Sequence, residues 1–331
     1  MNKNKYILLT GGAGYIGSHI AAGLEETKFK TIIVDNLTTG YEELINKKSL
    51  FIKGDIKNIK LINKILKKYK VEHIIHLAAH LNVNEAESNK KKYYMNNIMG
   101  TLNLMKACKS TFVKNVIFSS SCSIYGSVNG PVSETKKPKP KGYYAFTKLK
   151  GEQIIKKYSK RYNLKYAILR YFNVAGASDS KKIGEIDKSH DHLFKNIAIA
   201  SLKKNPIIKI YGKDYKTMDG TCVRDYIHVS DLANIHIKTI NLLIKKNKSF
   251  LLNCGYGKGY SVLEIANIFK IINKKTIIKF ENRREGDIDK VYADTKKFNK
   301  LFKFKFKFNS ISKILNSAIK WEKLLRSRWS N

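Results

Sequence analysis

The stretch Gly11-Gly12-Ala13-Gly14-Tyr15-Ile16-Gly17 constrains the fold more than any other in this chain. It follows the apolar run "YILLT" and precedes "SHIAAGLEE", so it reads as a tight turn from a buried strand into a helix. Glycines there let the turn close and let backbone N–H groups approach a pyrophosphate at the positive end of the helix. A glycine turn alone suits any tight corner, so the context decides. "KTIIVDNL" is a second strand, and Asp35 stands at its end, 18 residues after Gly17. A carboxylate at that place accepts hydrogen bonds from an adenosine ribose and repels a 2′-phosphate, which predicts NAD over NADP.

The pattern continues along the chain. "SLFIKGDI", "EHIIHLAA", "KNVIFSSS" and "KYAILRYFN" read as further buried strands. Helices are expected through "YYMNNIMGTLNLMKACK" and from near Tyr144. Asp55, after the third strand, could accept from an adenine amino group, although a turn-forming aspartate explains "GDI" as well. Strands rich in Val, Ile and Leu alternating with helices predict an α/β fold, a Rossmann-type doubly wound parallel sheet. The alternation loosens after Asn173, and "LLNCGYG" reads as a late strand returning to the sheet. The expected division is therefore a dinucleotide-binding domain over 1–173 with a returning segment near 226–255. A smaller mixed α/β C-terminal domain takes 174–225 and 256–331. "FKFKFKF" (302–308) alternates like a strand and predicts an edge that covers the core with one row of phenylalanines.

Composition excludes several classes. With 43% hydrophobic residues the 331-residue chain can bury a large core. Its apolar runs fall short of a membrane span, and the N-terminus enters a strand directly, so neither membrane insertion nor a signal peptide is expected. Four scattered cysteines, Cys108, Cys122, Cys222 and Cys254, form no metal-ligand pairs and suit a reducing cytosol. The net charge of +38 raises nucleic-acid binding, yet only seven of the 64 basic residues are arginine. Sequence-reading surfaces use arginine forks and local basic clusters, whereas these lysines are spread over every segment. They read as a solvated surface that attracts polyanions weakly.

Two further stretches carry chemistry. "SSSCSIYG" follows the fifth strand, placing Ser119, Ser120 and Ser121 where a nicotinamide and a reacting alcohol would lie. At least one of the three is expected to serve only the loop backbone. "GYYAFTK" opens a helix on which Tyr144 and Lys148 share a face, four residues apart, while Tyr143 points elsewhere. A phenol with an ammonium one turn away ionises more easily, which would make a base.

Together these motifs resemble the extended short-chain dehydrogenase/reductase superfamily. "LRYFNVAGA", "DGTCVRDYIHVSDLA" and "RREGD" narrow the resemblance to the UDP-glucose 4-epimerases, over nearly the whole chain. The resemblance implies Tyr144 as catalytic base, Lys148 as the lysine that lowers its pKa, and Ser121 as the serine bonding the sugar's 4-hydroxyl. Tyr143 stands where the family often has proline and is read as packing. For bound NAD it implies Gly11, Gly14, Tyr15, Ile16 and Gly17 of the turn, then Asp35, Asn36, Leu37, Thr38, Thr39 and Gly40. Asp55 and Ile56 follow the third strand and Leu77, Ala78 and Ala79 the fourth. Asn96, Ser119 and Phe172, with Tyr144 and Lys148, complete the cofactor set.

For a UDP-sugar in the C-terminal domain the resemblance implies Arg224 and Arg284 on the diphosphate and Asp287 on the uridine ribose. Asn173 would donate to phosphate, and His192-Leu193 would line the same cleft. Val291 sits where side-chain bulk decides whether an N-acetyl group fits, and a valine leaves that open. A homodimer through helices near 95–110 and 143–160 is implied, with no metal, no membrane and no specific nucleic acid. The sequence departs from the family at Lys195, where proline is usual after "HL", at "NEAESNKKKYY" and at "LFKFKFKF"; effects on loops and surface are expected. A uronate or N-acetylhexosamine 4-epimerase stays open. The nearest enzyme rival is a nucleotide-sugar dehydratase or decarboxylase on the same fold; a dehydratase wants an acidic pair where Cys122 and Ser123 stand, and the intact Ser121, Tyr144 and Lys148 set disfavours a non-catalytic RNA-binding protein.

Overall fold

Runs of branched apolar residues buried on both sides make parallel strands, and the burial patterns show such runs at the centre of the first sheet. The structure, a computed structural model, describes residues 5–178, 180, 182–186, 192–284 and 287–329. In chain order its elements begin β1 (Lys5–Thr10), α1 (Tyr15–Leu24), β2 (Phe29–Asp35), β3 (Leu50–Lys53), α2 (Ile59–Lys68) and β4 (His73–His76). Next come α3 (Val83–Ser88), α4 (Lys90–Tyr93), α5 (Gly100–Ala107), β5 (Asn115–Ser121), β6 (Asn129–Val132) and α6 (Tyr143–Arg161). β7 (Lys165–Tyr171), β8 (Asn173–Ala175), α7 (Leu193–Ser201), β9 (Ile207–Tyr211), β10 (Val223–His228) and α8 (Val229–Lys246) follow. The chain closes with β11 (Phe250–Cys254), β12 (Gly259–Ser261), α9 (Val262–Ile272), β13 (Ile277–Glu281), β14 (Lys290–Ala293), α10 (Lys296–Leu301) and α11 (Ile311–Trp329).

Two compact units emerge. The first comprises 1–124, 140–170 and 233–252, the second 125–139, 171–232 and 253–331. The expected division had given 125–139 to the first domain and 226–232 to the returning segment. In the structure β6 pairs with β14, and β10 pairs with β8, β12 and β14, so their hydrogen bonds bind them to the second unit.

In the first unit the sheet runs β11-β7-β5-β4-β1-β2-β3, with parallel pairing at β1–β2, β1–β4, β2–β3 and β4–β5. The order reverses between β1 and β4, and such switch points open a crevice at the carboxyl ends of the strands. One core joins Leu8, Ile32, Val34, Ile74, Val116 and Ile168 of the sheet to Ile62 and Leu66 of α2, Leu104 of α5 and Ile155 of α6. "LLNCGYG" returns to the sheet edge as β11, as its apolar start predicted. The helix expected through "YYMNNIMGTLNLMKACK" forms as α4 and α5 joined by a wider turn over Tyr94–Met99. Wide turns of this kind are rare, and a hydroxyl that bonds back to the carbonyl four residues earlier bends a helix. Here the Thr101 hydroxyl donates to the Asn97 carbonyl at 2.6 Å.

The second unit packs Phe194 and Ile197, Ile208 and Ile210, Ile265 and Phe269, and Ile311, Ile314 and Leu315 into its own core. The phenylalanine stretch 302–308 differs from expectation. Its burial alternates, but it joins no ladder among the described residues. The amides of Lys307 and Phe308 donate instead to the Asp231 carboxylate, at 3.1 and 3.0 Å. A side-chain acceptor thus takes the place of a neighbouring strand, while Phe306 stacks on Phe298 and Phe308 on His228.

A buried fork also holds the first unit together: Arg170 of β7 donates to Glu152 of α6 at 2.9 and 2.8 Å. The side chains are 3% and 1% exposed, so removing one partner strands a charge in a dry interior. Glu152→Ala should therefore lower stability by about 3–5 kcal/mol. Glu72→Ala, which breaks an ion pair with the exposed Lys114, should cost at most about 1 kcal/mol. Urea denaturation compares the two, and equal losses would contradict the buried-charge account.

Candidate active site

The glycine turn leaves β1 and enters α1. Gly11 has φ +75°, and a Cβ there would lie 2.7 Å from the Ala78 nitrogen. A Cβ on Gly17 would lie 2.2 Å from the Gly11 carbonyl oxygen. Packing alone therefore demands glycine at both. Gly14 differs, because a Cβ there would meet only the Gly11 oxygen, at an ordinary 3.5 Å. The protein's own packing does not require Gly14, and the missing side chain keeps the mouth of α1 open. No side chain caps that helix, and its first turn carries no acid. An uncapped positive helix end behind an open glycine is what a pyrophosphate needs, so these residues fit a bound dinucleotide.

Asp35 closes β2 and is largely buried. One carboxylate oxygen accepts from the Ala13 amide at 3.0 Å and the other from the Leu37 amide at 2.9 Å. Burial raises its pKa against those bonds. Leu37 takes a left-handed backbone (φ 61°), and the Asn36 side chain accepts from the Thr38 amide and hydroxyl. Thr39 is exposed and Gly40 half-buried. Asn36 also donates to Asp55 at 3.1 Å, so the loops after β2 and β3 are tied together. Ile56 is buried under Gly100. After β4, the Leu77 and Ala78 amides donate to the Thr10 carbonyl, and Ala79 is half-buried beside them.

The reacting residues lie where α6 crosses the end of β5. Ser121 is near enough to the Tyr144 phenol to pull its pKa down. Lys148 donates to the Ser119 carbonyl at 2.9 Å, with its ammonium 5.9 Å from the Tyr144 ring centre. The Ser120 hydroxyl donates to Glu152 at 2.6 Å, which identifies it as the serine in structural service. Tyr143 turns away to stack near Phe146 and Lys90, as expected of a packing residue. The electrostatics correct one expectation. Burial raises the Tyr144 pKa, the nearby Ser121 hydroxyl opposes it, and Lys148 is not among the main influences. Burial also lowers the Lys148 pKa, to about 8. The chain by itself holds Tyr144 as a neutral phenol.

The second unit carries the other implied residues. Arg224 lies beside Asp287 at 3.6 Å, and the Tyr215 hydroxyl donates to Asp287 at 3.1 Å. Arg284 stacks over the Tyr211 ring at 3.8 Å. Val291 sits opposite Arg224 in the β10–β14 register and is buried. Phe172 is buried, and Asn173 is exposed at the start of β8. His192 pairs with Glu185 at 2.6 Å, and Leu193 opens α7. Lys195 overturns the expectation of a surface change: it is buried, donating to the Glu185 carbonyl and to Glu322 at 2.6 and 2.7 Å.

Two supporting residues escaped sequence reasoning. Asn97 accepts from the His80 amide at 2.8 Å and donates to the His80 carbonyl and to Thr147. It thereby ties the loop after β4 to α6, while its neighbour Asn96, the implied cofactor residue, donates to it at 3.1 Å. His76 is the other: Thr101 has given its proton to Asn97, so it must accept from His76 Nε2–H, and Nδ1 must accept from Thr10. Among the described residues no group of three or more His, Cys, Asp or Glu could hold a metal, and no helix is long and apolar enough to cross a membrane.

Lys148 supplies a pH test. Its folded pKa of about 8 lies below the ordinary 10.5, so between those values the unfolded chain binds more protons. Stability from this group should rise with pH across that window, and the burial penalty is fully present below pH 8. Lys148→Met should therefore be more stable than the parent at pH 7, by about 1–3 kcal/mol, with the gain shrinking toward pH 10.5. Thermal melts across that range would check it. A less stable variant at pH 7 would mean that the bond to Ser119 outweighs the buried charge.

Known proteins match this geometry. The UDP-glucose 4-epimerase of Azospirillum brasilense is 35% identical over 96% of this chain and 92% of its own length. The solved UDP-glucose 4-epimerase of Stenotrophomonas maltophila, with bound NAD and formylated UDP-arabinopyranose, superposes with a TM-score of 0.93 at 31% identity. It covers 98% of this chain and 100% of that one. The Brucella ovis enzyme in complex with NAD gives 0.89 at 35% identity, over 96% and 98%. The pattern of the NAD dependent epimerase/dehydratase family matches residues 7–255, and the chain belongs to that family.

Proposed function

We propose that this chain is a UDP-glucose 4-epimerase, an isomerase that interconverts UDP-galactose and UDP-glucose through a transient 4-keto sugar. The observation that carries the reading is the placing of Tyr144 and Lys148, one turn apart on α6, at the end of β5, where the Lys148 ammonium donates to the Ser119 carbonyl and lies 5.9 Å from the Tyr144 ring centre. When bound, NAD supplies the acceptor and later the donor of hydride at the sugar's C4.

The chain's own residues handle the proton. Tyr144 takes it from the 4-hydroxyl at its phenolic oxygen and returns it after the keto sugar has turned over. The burial that holds Tyr144 neutral must be offset by positive charge, which Lys148 and the nicotinamide ring have the right sign to provide. Ser121, whose hydroxyl favours a lower Tyr144 pKa, would steady the developing phenolate. Asp35, between two backbone amides, would meet the adenosine ribose, and Gly11, Gly14 and Gly17 would let the pyrophosphate reach the mouth of α1.

For the substrate, Arg224 and Arg284 would hold the diphosphate, a task that suits planar guanidinium forks. Asp287 would exchange its bond from Tyr215 for the uridine ribose, with Asn173, His192 and Leu193 along the same nucleotide. Residues 1–173 with the returning segment would serve NAD, the remainder the UDP-sugar. We further propose a homodimer through α5 and α6, supported by the exposed Tyr94 and Met95 beside α5, and a cytosolic setting that suits the scattered cysteines. A dehydratase is disfavoured because neither Cys122 nor Ser123 is acidic.

Proton NMR of the purified protein with UDP-galactose and no added NAD should show UDP-glucose growing in, since the cofactor stays bound through each cycle. No conversion with NAD supplied and the fold verified would defeat this substrate and direct the trial to UDP-uronates. UDP-N-acetylgalactosamine in the same assay tests what Val291 admits. Tyr144→Phe should cut turnover by about a thousandfold or more with NAD still bound. Tyr143→Phe should stay within about twofold of the parent, because its ring packs against Phe146. A comparable collapse in both would mean that the wrong tyrosine has been assigned.

A further inference from the structure

Helix α6 carries Tyr144 in its first turn, and the helix alone secures that turn poorly. The first backbone N–H groups of any helix lack partners one turn earlier. In α6 the ladder starts with the Phe146 amide donating to the Gly142 carbonyl at 3.1 Å, so the amides of Tyr143, Tyr144 and Ala145 precede it. Gly142 stands at the cap position without a side chain to offer, and the first turn holds no acid. Proline suits the opening position of a helix because its missing N–H needs no acceptor. Tyr143 occupies that position here and has an N–H to place.

Glu87 of α3 receives it. Its Oε1 accepts from the Tyr143 amide at 2.5 Å, across 56 positions of sequence. The approach needs Gly142, because a Cβ there would lie 2.9 Å from the same oxygen and the backbone is left-handed (φ +81°). α3 is itself secured: Glu85 pairs with Lys92 at 2.5 Å, and the Asn82 side chain caps the helix by accepting from the Glu85 amide. A carboxylate at a helix N-terminus also meets the positive end of the helix dipole.

We infer that Glu87 is a positioning residue for Tyr144. It is the cap that α6 lacks, and through the Tyr143 amide it holds the first turn, with the phenol in it, against the segment after β4. The inference rests on the epimerase reading of Tyr144 and adds a residue that touches neither sugar nor cofactor in that reading. Glu87 grips the N–H of Tyr143 and leaves the ring alone, so Tyr143→Phe keeps the contact whole.

The test is a double-mutant cycle on the full chain with its bound cofactor. Glu87→Ala should lower kcat for UDP-galactose about fivefold, the effect of a lost cap, with KM within about twofold. Glu87→Gln keeps an accepting oxygen and should stay within about twofold of the parent. Tyr143→Pro removes the N–H while its fixed φ suits the position, whereas Tyr143→Ala removes only the ring. Adding Glu87→Ala should therefore lower kcat about fivefold in the Tyr143→Ala protein and leave it unchanged in the Tyr143→Pro protein. Equal losses in the two backgrounds would overturn the inference, as would an unchanged kcat in Glu87→Ala. Hydrogen exchange of the Tyr144, Ala145 and Phe146 amides needs no turnover. Glu87→Ala should speed it about fivefold, except where Tyr143 is replaced by proline. Exchange that follows this cycle in a protein whose parent form turns over no UDP-sugar would support the capping role and defeat the epimerase reading instead. Unchanged exchange would overturn the inference whatever the activity.

Discussion

Helix α6 is fastened to β5 by polar contacts that repeat at one-turn intervals, and the site depends on that fastening. Lys148 and Glu152, four residues apart on one helical face, engage the Ser119 carbonyl and the Ser120 hydroxyl, and Tyr144, one turn earlier, lies where Ser121 lowers its pKa. Arg170 of β7 completes the grip on Glu152. Close approach is possible because Gly151 faces Phe118, where a Cβ would lie 2.4 Å from the ring. The helical period thus converts three consecutive strand residues into three different duties. Misplacing the helix by one residue would exchange a reacting hydroxyl for a structural one.

Burial gives the fastening its chemical character. The same dry environment that makes the Arg170–Glu152 fork rigid raises the Tyr144 pKa and lowers that of Lys148. Desolvation opposes both charges, so the chain alone keeps Tyr144 neutral and weakens the hold of Lys148 on its proton. A cationic ligand beside them changes the balance, since a positive charge favours the phenolate through a medium that screens poorly. The site is therefore assembled to respond to its cofactor, and the stability given up at Lys148 is part of that arrangement.

Local pattern made much of this legible. The glycine turn, the carboxylate ending β2 and the four-residue spacing of Tyr144 and Lys148 are short-range signals with a single geometric meaning. Contacts between distant residues were not legible. Glu152 reads as one more helix-surface acid in "LKGEQIIKKY", and only the fold brings Arg170 to it. Asn97 looks like its neighbour Asn96 until the loop after β4 is in place. Lys195 reads as a solvated charge because 127 positions separate it from Glu322. The alternation of 302–308 did report burial correctly; it was silent on what would satisfy the backbone, and Asp231 supplies acceptors that no periodicity reveals.

The use of basic residues follows the same physics. Lysine carries the surface of this chain, yet Lys148 and Lys195 are buried, each with Nζ donating to a backbone carbonyl. Arginine persists where a plane or a fork is required. Arg170 grips a carboxylate with two nitrogens, Arg283 and Arg284 lie over tyrosine rings, and Arg224 stands beside Asp287. An ammonium is a point charge on a flexible stem and cannot reproduce those contacts. A surface that drifts toward lysine costs little, because exposed charges interact weakly. The same drift at Arg170 would leave one of the two bonds to Glu152 unmade inside the core, and at Arg224 or Arg284 it would remove the planar fork proposed to receive a diphosphate.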